Sequence, residues 1–272
     1  MDGSIYLEPL KPIESRVSYD LDLGDGLVAR LAVSQDVLRD AWALRYKAYA
    51  SHGFIETSDS EMFADDCDFY PSSKVVVVYR RGRPVGTVRI CLYAPGSGIA
   101  GAHTLPILEV FPDEIKAQLA AVPTRRGAPR AVEVMRLSTD PELGFDPEVS
   151  MALFLMAGYV TMYFGATAAF CGVRRHHMPL YRRFGWRKMT EPRPYPKLKF
   201  ETGLMGCVSE SPEGLRRDMP IMHPISKDDE IFEDLMAGRS VPAYGGERDR
   251  TAITRQLSGR MSRPAAIEQV AA

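Results

Sequence analysis

The 272-residue sequence is short of cysteine, of surplus charge and of recognisable targeting signals, and each shortage removes a class of function. Its four cysteines, Cys67, Cys91, Cys171 and Cys207, stand far apart with no CxxC spacing. That pattern makes neither a zinc site nor a secreted disulfide framework, so no metal is expected and a reducing cytoplasm is. Thirty-four Lys and Arg stand against 35 Asp and Glu, a net charge of −1. Such balance lacks the basic footprint of a duplex DNA binder, and no nucleic acid is expected as a partner. The first residues carry Asp2 and Glu8 without a basic start or an apolar run, so they do not read as a signal peptide. The longest uncharged run, Ser150–Val173, has 24 residues, on paper enough for a bilayer span of about 20. It divides differently. Asp146-Pro147-Glu148 is a helix start and Gly165 a helix stop, leaving Ala168–Val173 as a buried strand and predicting no stable membrane insertion.

What is present is an ordinary globular composition, 45% apolar and 25% charged, arranged as alternating strands and helices. Residues 1–20 show no period and read as an arm. Leu27–Val33 is a short aliphatic strand, and Ser34 caps a helix from Gln35 to Ala50 that sets Leu38, Trp42, Arg45 and Tyr49 on one face. An arginine thus lies inside an apolar stripe. A long loop, 51–73, precedes a hairpin of Lys74–Tyr79 and Val85–Tyr93 turning at Gly82. A second helix is expected at Pro112–Ala121 and a loop over 123–130, then a strand from Val132 to Ser138. Glu133 and Arg136 fall three apart on that strand, on opposite faces unless a bulge intervenes. The long helix, the buried strand, a short helix at Met178–Phe184 and a last antiparallel strand, 197–208, complete an α+β layout around one mixed, mostly antiparallel sheet. This domain is taken as 21–208, and residues 209–272, without apolar period, as a tail that is mobile or wraps the surface.

Leu180-Tyr181-Arg182-Arg183-Phe184-Gly185-Trp186, just after the strand ending at Val173, resembles the LYxxxGF helix of the GNAT acyltransferases. Arg45 with Tyr49, then Asp65 and Asp68, then Arg89, then Glu133 with Arg136 form an ordered set. Together they resemble the signature of acyl-homoserine-lactone synthases and of the related FeeM-type N-acyl amino acid synthases. The match spans about 27–208. Homoserine-lactone synthases carry a tryptophan where this chain has Phe54-Ile55, so the amino acid synthase branch fits better. Leu143-Gly144-Phe145-Asp146-Pro147 is a poor version of the glycine-rich loop that holds the pyrophosphate of coenzyme A. The resemblance therefore implies a GNAT-like fold with no permanently bound cofactor. The donor is an acyl-phosphopantetheine thioester, on an acyl carrier protein in preference to coenzyme A.

Aminolysis of a thioester needs a base for the amine proton, donors for the oxyanion and an acid for the thiolate. Glu133 is the candidate base, or else an ion-pair partner of Arg45, Arg89 or Arg136; Tyr181 matches the tyrosine that protonates the thiolate in many GNAT enzymes. Arg45, Tyr49, Asp65, Asp68, Arg89 and Arg136 are candidates for binding the acceptor amino acid, with a buried Arg and Asp network expected because unpaired buried charge is costly. Arg174, Arg175, Arg182 and Arg183 offer an acidic carrier a basic face. Phe154, Met156 and Tyr159 on the long helix are candidates for an acyl tunnel, with core packing as the alternative. His176 and His177 are adjacent and read as loop histidines. The rival functions are a homoserine-lactone or ornithine-lipid type synthase on the same fold, and a non-catalytic acyl or carrier-protein binder.

Overall fold

The computed structural model describes residues 26–121, 129–195, 198–226 and 230–243. The expected arm at 1–20, most of the loop at 123–130 and the end of the tail from 244 lie outside them. Among the described residues nine strands form the sheet system: β1 Leu27–Leu31, β2 Ser73–Arg80, β3 Arg83–Tyr93, β4 Ala131–Thr139, β5 Ala168–Val173, β6 Arg187–Lys188, β7 Arg193–Pro194, β8 Glu201–Val208 and β9 Val241–Pro242. The order is β6-β8-β5-β4-β3-β2-β1-β9, with β7 pairing β8 off that path. Every pairing is antiparallel except β4 with β5. The last long strand starts at Glu201, later than the expected 197.

Local chemistry explains the elements that were legible. Arg81 and Gly82 both take positive φ, 51° and 72°, in a two-residue turn whose twist matches its strands. Helix α1, Gln35–Ser51, is capped by the Ser34 side chain, and α2 spans Pro112–Ala121 behind its N1 proline. Asp146 caps α3, Pro147–Tyr163, by accepting from the Glu148 and Val149 N–H groups at 2.9 and 3.1 Å. At the far end Gly165 takes φ 60°, and the Gly165 and Ala166 amides donate back to Met162 and Thr161, a Schellman stop. The uncharged run is thus a helix and a strand, and among the described residues no helix is long and apolar enough to cross a membrane.

The two faces of the sheet are packed by different means. On one face α3 lies across β2, β3 and β4, with Val76, Val78, Val88, Ile90, Val132 and Val134 in one hydrocarbon core with Val149, Leu153 and Met156. The outward side of α3 is covered as well, which accounts for its apolar character all round. The cover is α5, Pro212–Asp218, a turn at 220–222, and α6, Glu230–Met236, with Leu215, Met222, Ile225 and Leu235 buried in the same core. A Cβ on Gly158 would stand 2.6 Å from Ile225 Cδ1, so glycine permits this close approach. β9 then pairs with β1. The described parts of this tail, 209–226 and 230–243, therefore wrap and pack on the domain, the second of the two expected alternatives. Local periodicity leaves the two open because these short pieces bury only scattered side chains against a helix distant in sequence.

On the other face α1 crosses β2 to β4. Its buried side is Val37, Ala41, Leu44, Arg45, Ala48 and Tyr49, with Leu38 and Trp42 only half-buried. The stripe is thus rotated from the expected one, which followed the largest side chains where close packing on the sheet selects alanine.

Candidate active site

A defect in β4 makes the site. The β3–β4 register shifts between Thr87 and Arg89, so that one extra β4 residue is accommodated, and Arg136 takes φ 54° there. This bulge re-aims Arg136, allowing it and Glu133 to reach the same side despite their odd spacing. The parallel ladder with β5 covers only Ala131–Glu133 against Ala168–Phe170, and past Glu133 the strands are unpaired. The point where they part is the candidate cleft.

Glu133 sits at its base, 1% exposed. One carboxylate oxygen accepts the Ile107 N–H at 2.9 Å and the other the Tyr195 hydroxyl at 3.4 Å. Burial is the dominant influence and pushes the carboxyl up to about 7, against the opposing pull of the Ile107 amide, Arg89, Arg136 and Tyr195. Tyr195 is a site residue that sequence reasoning missed. It lies in an irregular segment, just past the two-residue strand β7, with no spacing relation to the strand it meets.

Beside Glu133 stands the expected Arg and Asp network. Asp65 and Asp68 cap the 3-10 turn Asp66–Phe69 reciprocally. Arg45 Nη1 donates to both oxygens of Asp68, at 2.7 and 2.9 Å, and Arg89 Nη1 reaches Asp68 at 2.9 Å. Arg89 forks onto Asp65 at 2.6 and 2.9 Å, and Arg136 adds a 3.0 Å bond to Asp65. Burial works against the charge on Asp65, but Arg89 and Arg136 override it and hold the carboxyl well below its usual range. The side chains of Arg45, Arg89 and Asp68 are at most 1% exposed. They have no face left for a substrate, contrary to the expected binding role, because each satisfies another's charge. Asp65 and Arg136 keep an accessible edge, at 24% and 8%.

Aromatic side chains form the outer wall. Tyr49 packs on Phe63 at 5.1 Å, Phe54 at 6.4 Å and Phe200 at 6.3 Å between ring centres. Arg136 lies over Phe63 at 4.7 Å and Arg174 over Phe54 at 4.6 Å. Arg174 is half-buried, its guanidinium lying over Phe54 and, at 5.4 Å, Phe200, so less of it is offered to a carrier than of its exposed neighbours. Arg175, Arg182 and Arg183 are exposed as expected. Tyr181, on α4 Met178–Arg183, packs against Phe154 at 4.9 Å and faces the charge of Arg174. Burial raises its hydroxyl far above the ordinary range, so it remains a proton donor. His176 and His177 pack edge to face at 4.1 Å. Among the described residues no group of three or more His, Cys, Asp or Glu is placed to hold a metal ion.

Of the expected tunnel residues Phe154 lines a small cavity. This space, about 10 Å³, lies between β4, β5 and α3, bounded by Val134, Ala157, Ala169, Trp186, Met219 and Met222. It has room for about one water molecule. Met156 and Tyr159 are both buried in the core, Tyr159 beside Phe232 of α6, because α3 is covered on both sides.

The segment that carries this site matches a known family. The model for the N-acyl amino acid synthase FeeM matches residues 40–208, more than half of the chain. The protein belongs to the FeeM family. It is an acyltransferase with the GNAT-like fold, as the resemblance implied. The structure of FeeM from uncultured soil microbes, an N-acyl amino acid synthase, aligns at 16% identity over 74% of this chain and 98% of that one, with a TM-score of 0.57. BjaI, a CoA-dependent acyl-homoserine lactone synthase, aligns in a form with MTA at 16% identity over 73% and 89%, TM-score 0.51. A form with SAM and isopentyl-CoA aligns at 17% identity over the same shares, TM-score 0.50. At such identities these structures attest the fold. A comparison with curated protein sequences finds no match.

Proposed function

We propose that this member of the FeeM family transfers a fatty acyl group from an acyl carrier protein thioester to the α-amine of an amino acid by direct attack. Glu133 carries the reading: a buried carboxyl poised near neutrality where β4 and β5 part, held by one amide and one phenol. The amine nitrogen attacks the thioester carbon while Glu133 takes its proton, directly or through a water. A β4 amide in the stretch that β5 leaves unpaired faces the developing oxyanion. As the C–S bond breaks, Tyr181 gives its proton to the thiolate, and it is reprotonated as Glu133 returns a proton through solvent. The products are an amide and a free pantetheine thiol. Cys171 is no nucleophile in this scheme, because burial and Glu133 push its thiol well above the ordinary range.

The donor reading rests on the start of α3. There Asp146 occupies the first amides and is itself bound by Arg80 at 2.7 Å, so the helix end that would attract a pyrophosphate already holds a carboxylate. Exposed Arg182 and Arg183 on α4 supply the complementary surface for an acidic carrier. The acyl chain enters by widening the small cavity, whose Met219 and Met222 walls can change rotamer at little cost. Roles for Arg45, Arg89 and Asp68 are indirect: they hold the loop that presents Asp65.

The test is thiol release from acyl carrier protein and from acyl-CoA thioesters with the proteinogenic amino acids as acceptors, with product mass read in parallel. Acceptor-dependent release from the carrier, lost in Glu133→Gln, is expected. Release from neither donor by folded protein would leave a binding module; a homoserine lactone or ornithine lipid mass would move the acceptor.

A further inference from the structure

The cations around the cleft are not equally matched. Arg45 and Arg89 are satisfied by Asp65 and Asp68, and Arg136 is tied to Asp65. Arg193 pairs with Glu114, Lys199 with Glu56, and Arg175 reaches Glu191 at 3.7 Å. Arg174 is different. Among the described residues it has no carboxylate partner, and its one polar contact is His177 Nε2 at 3.1 Å. Burial and Arg174 itself hold His177 down to about 3, so this imidazole is neutral and accepts a hydrogen bond without offsetting charge.

The position is as unusual as the pairing. The guanidinium lies over Phe54 at 4.6 Å and Phe200 at 5.4 Å, rings that also pack against Tyr49. Tyr49 in turn lies 5.9 Å below Arg136. Arg174 and Arg136 thus lie against one aromatic cluster, and Tyr181 is near enough to feel the charge of Arg174. Stacking fixes the plane of the fork in advance, which reduces the entropy lost when it binds a carboxylate. Burial lowers the stability of its charge, and no acid restores it. Around the site three guanidiniums face Asp65, Asp68 and, once it is ionised, Glu133, so Arg174 is the cation in excess and the space beside it attracts an anion and disfavours an ammonium. A neutral amine beside a carboxylate suits such a site, and a neutral amine is the nucleophile.

We infer that Arg174, fixed on Phe54 and Phe200, binds the carboxylate of the acceptor and makes that carboxylate a condition of acylation. The inference deepens the proposed reaction and rests on it. The cation acts on the acceptor and leaves the donor untouched, so it sets specificity for acids over the corresponding carboxamides.

The experiment compares wild type, Arg174→Lys and Arg174→Met, each checked for an unchanged melting profile. The probes are each amino acid that wild type accepts and its carboxamide. Loss of a charge-assisted contact should raise KM for the amino acid about 10–100-fold in Arg174→Met, with KM for the thioester donor unchanged. Discrimination between acid and carboxamide should fall in step, and Arg174→Lys should recover part of both. A variant that keeps the wild-type preference for the acid overturns the inference, as does a rise confined to the donor's KM. Thermal shift with the amino acids and their carboxamides gives a readout independent of turnover. If wild type releases no thiol, the reaction fails, while carboxylate-dependent stabilisation lost in Arg174→Met would still sustain the binding role. Equal shifts for acid and carboxamide would end it.

Discussion

The two faces of the central sheet are made by alternate residues of the same strands, yet they solve opposite problems. Toward α3, Val88, Ile90, Val132 and Val134 meet hydrocarbon only, and their burial needs no partner beyond good packing. Toward α1, Arg89 and Glu133 are buried from the same two strands and must be satisfied atom by atom. Even so, Nε of Arg45, Arg89 and Arg136 find no protein acceptor among the described residues. One face holds the fold together and the other stores charge at a cost in stability. That division lets the site keep an acid near neutrality without loosening the core. It also explains why a single bulge matters: it lies between the faces, where one extra residue changes which side chain points to which.

Changes on the charged face should separate activity from stability. Glu133→Gln should lower turnover about 10²–10⁴-fold, measured by thiol release. The same variant should be no less stable at pH 8. The folded carboxyl loses its proton at about 7 and the unfolded one at 4.5, so the folded state binds more protons between those values and stability falls as pH rises through them. At pH 8 this is on the order of 3 kcal/mol that a non-ionising glutamine avoids, seen in urea melts. A fall in stability equal to the fall in rate would erase the distinction between the faces.

Asp68→Ala should cost about 3–5 kcal/mol, because it leaves Arg45 buried without a carboxylate. On the other face Leu153→Ala should cost about 2–5 kcal/mol, and the pH profile of the surviving activity should be unmoved. A displaced profile in Leu153→Ala would mean that the hydrocarbon face tunes the acid. The profile itself should rise through pH of about 7, since the base acts as its carboxylate. Tyr195→Phe gives the smallest effect. Removing a donor to the carboxylate should shift that limb upward by up to about one unit, the equivalent of one modest hydrogen bond. A downward shift would show that the phenol does not stabilise the ionised form.

Much of the scaffold could be read in advance because its signals are local. The Arg81-Gly82 turn, the Pro112 start of α2, and the Asp146 cap and Gly165 stop of α3 depend on residues within a few positions of each other. Glu133 and Arg136 were also readable as a pair that needed a bulge. Tyr195 was not, being joined to Glu133 only by the return of a distant segment. Nor was the role of residues 212–226 and 230–242, whose short elements gain meaning only from the side of α3 that they cover.

The sequence by itself determined where most of the principal elements begin and end, and it named the acids and arginines that gather at the cleft. Caps, turns and alternation act through neighbours along the chain, and the resemblance supplied the order of the charged residues. Only the tertiary structure decided how those charges pair. Arg45 and Arg89 end as paired struts, Arg136 as a lip of the cleft, and Arg174 as a half-buried cation with no carboxylate partner among the described residues. The physical reason is that pairing depends on distance and burial. Both are set by where strands part and helices cross, and neither is carried by any one residue's place in the chain.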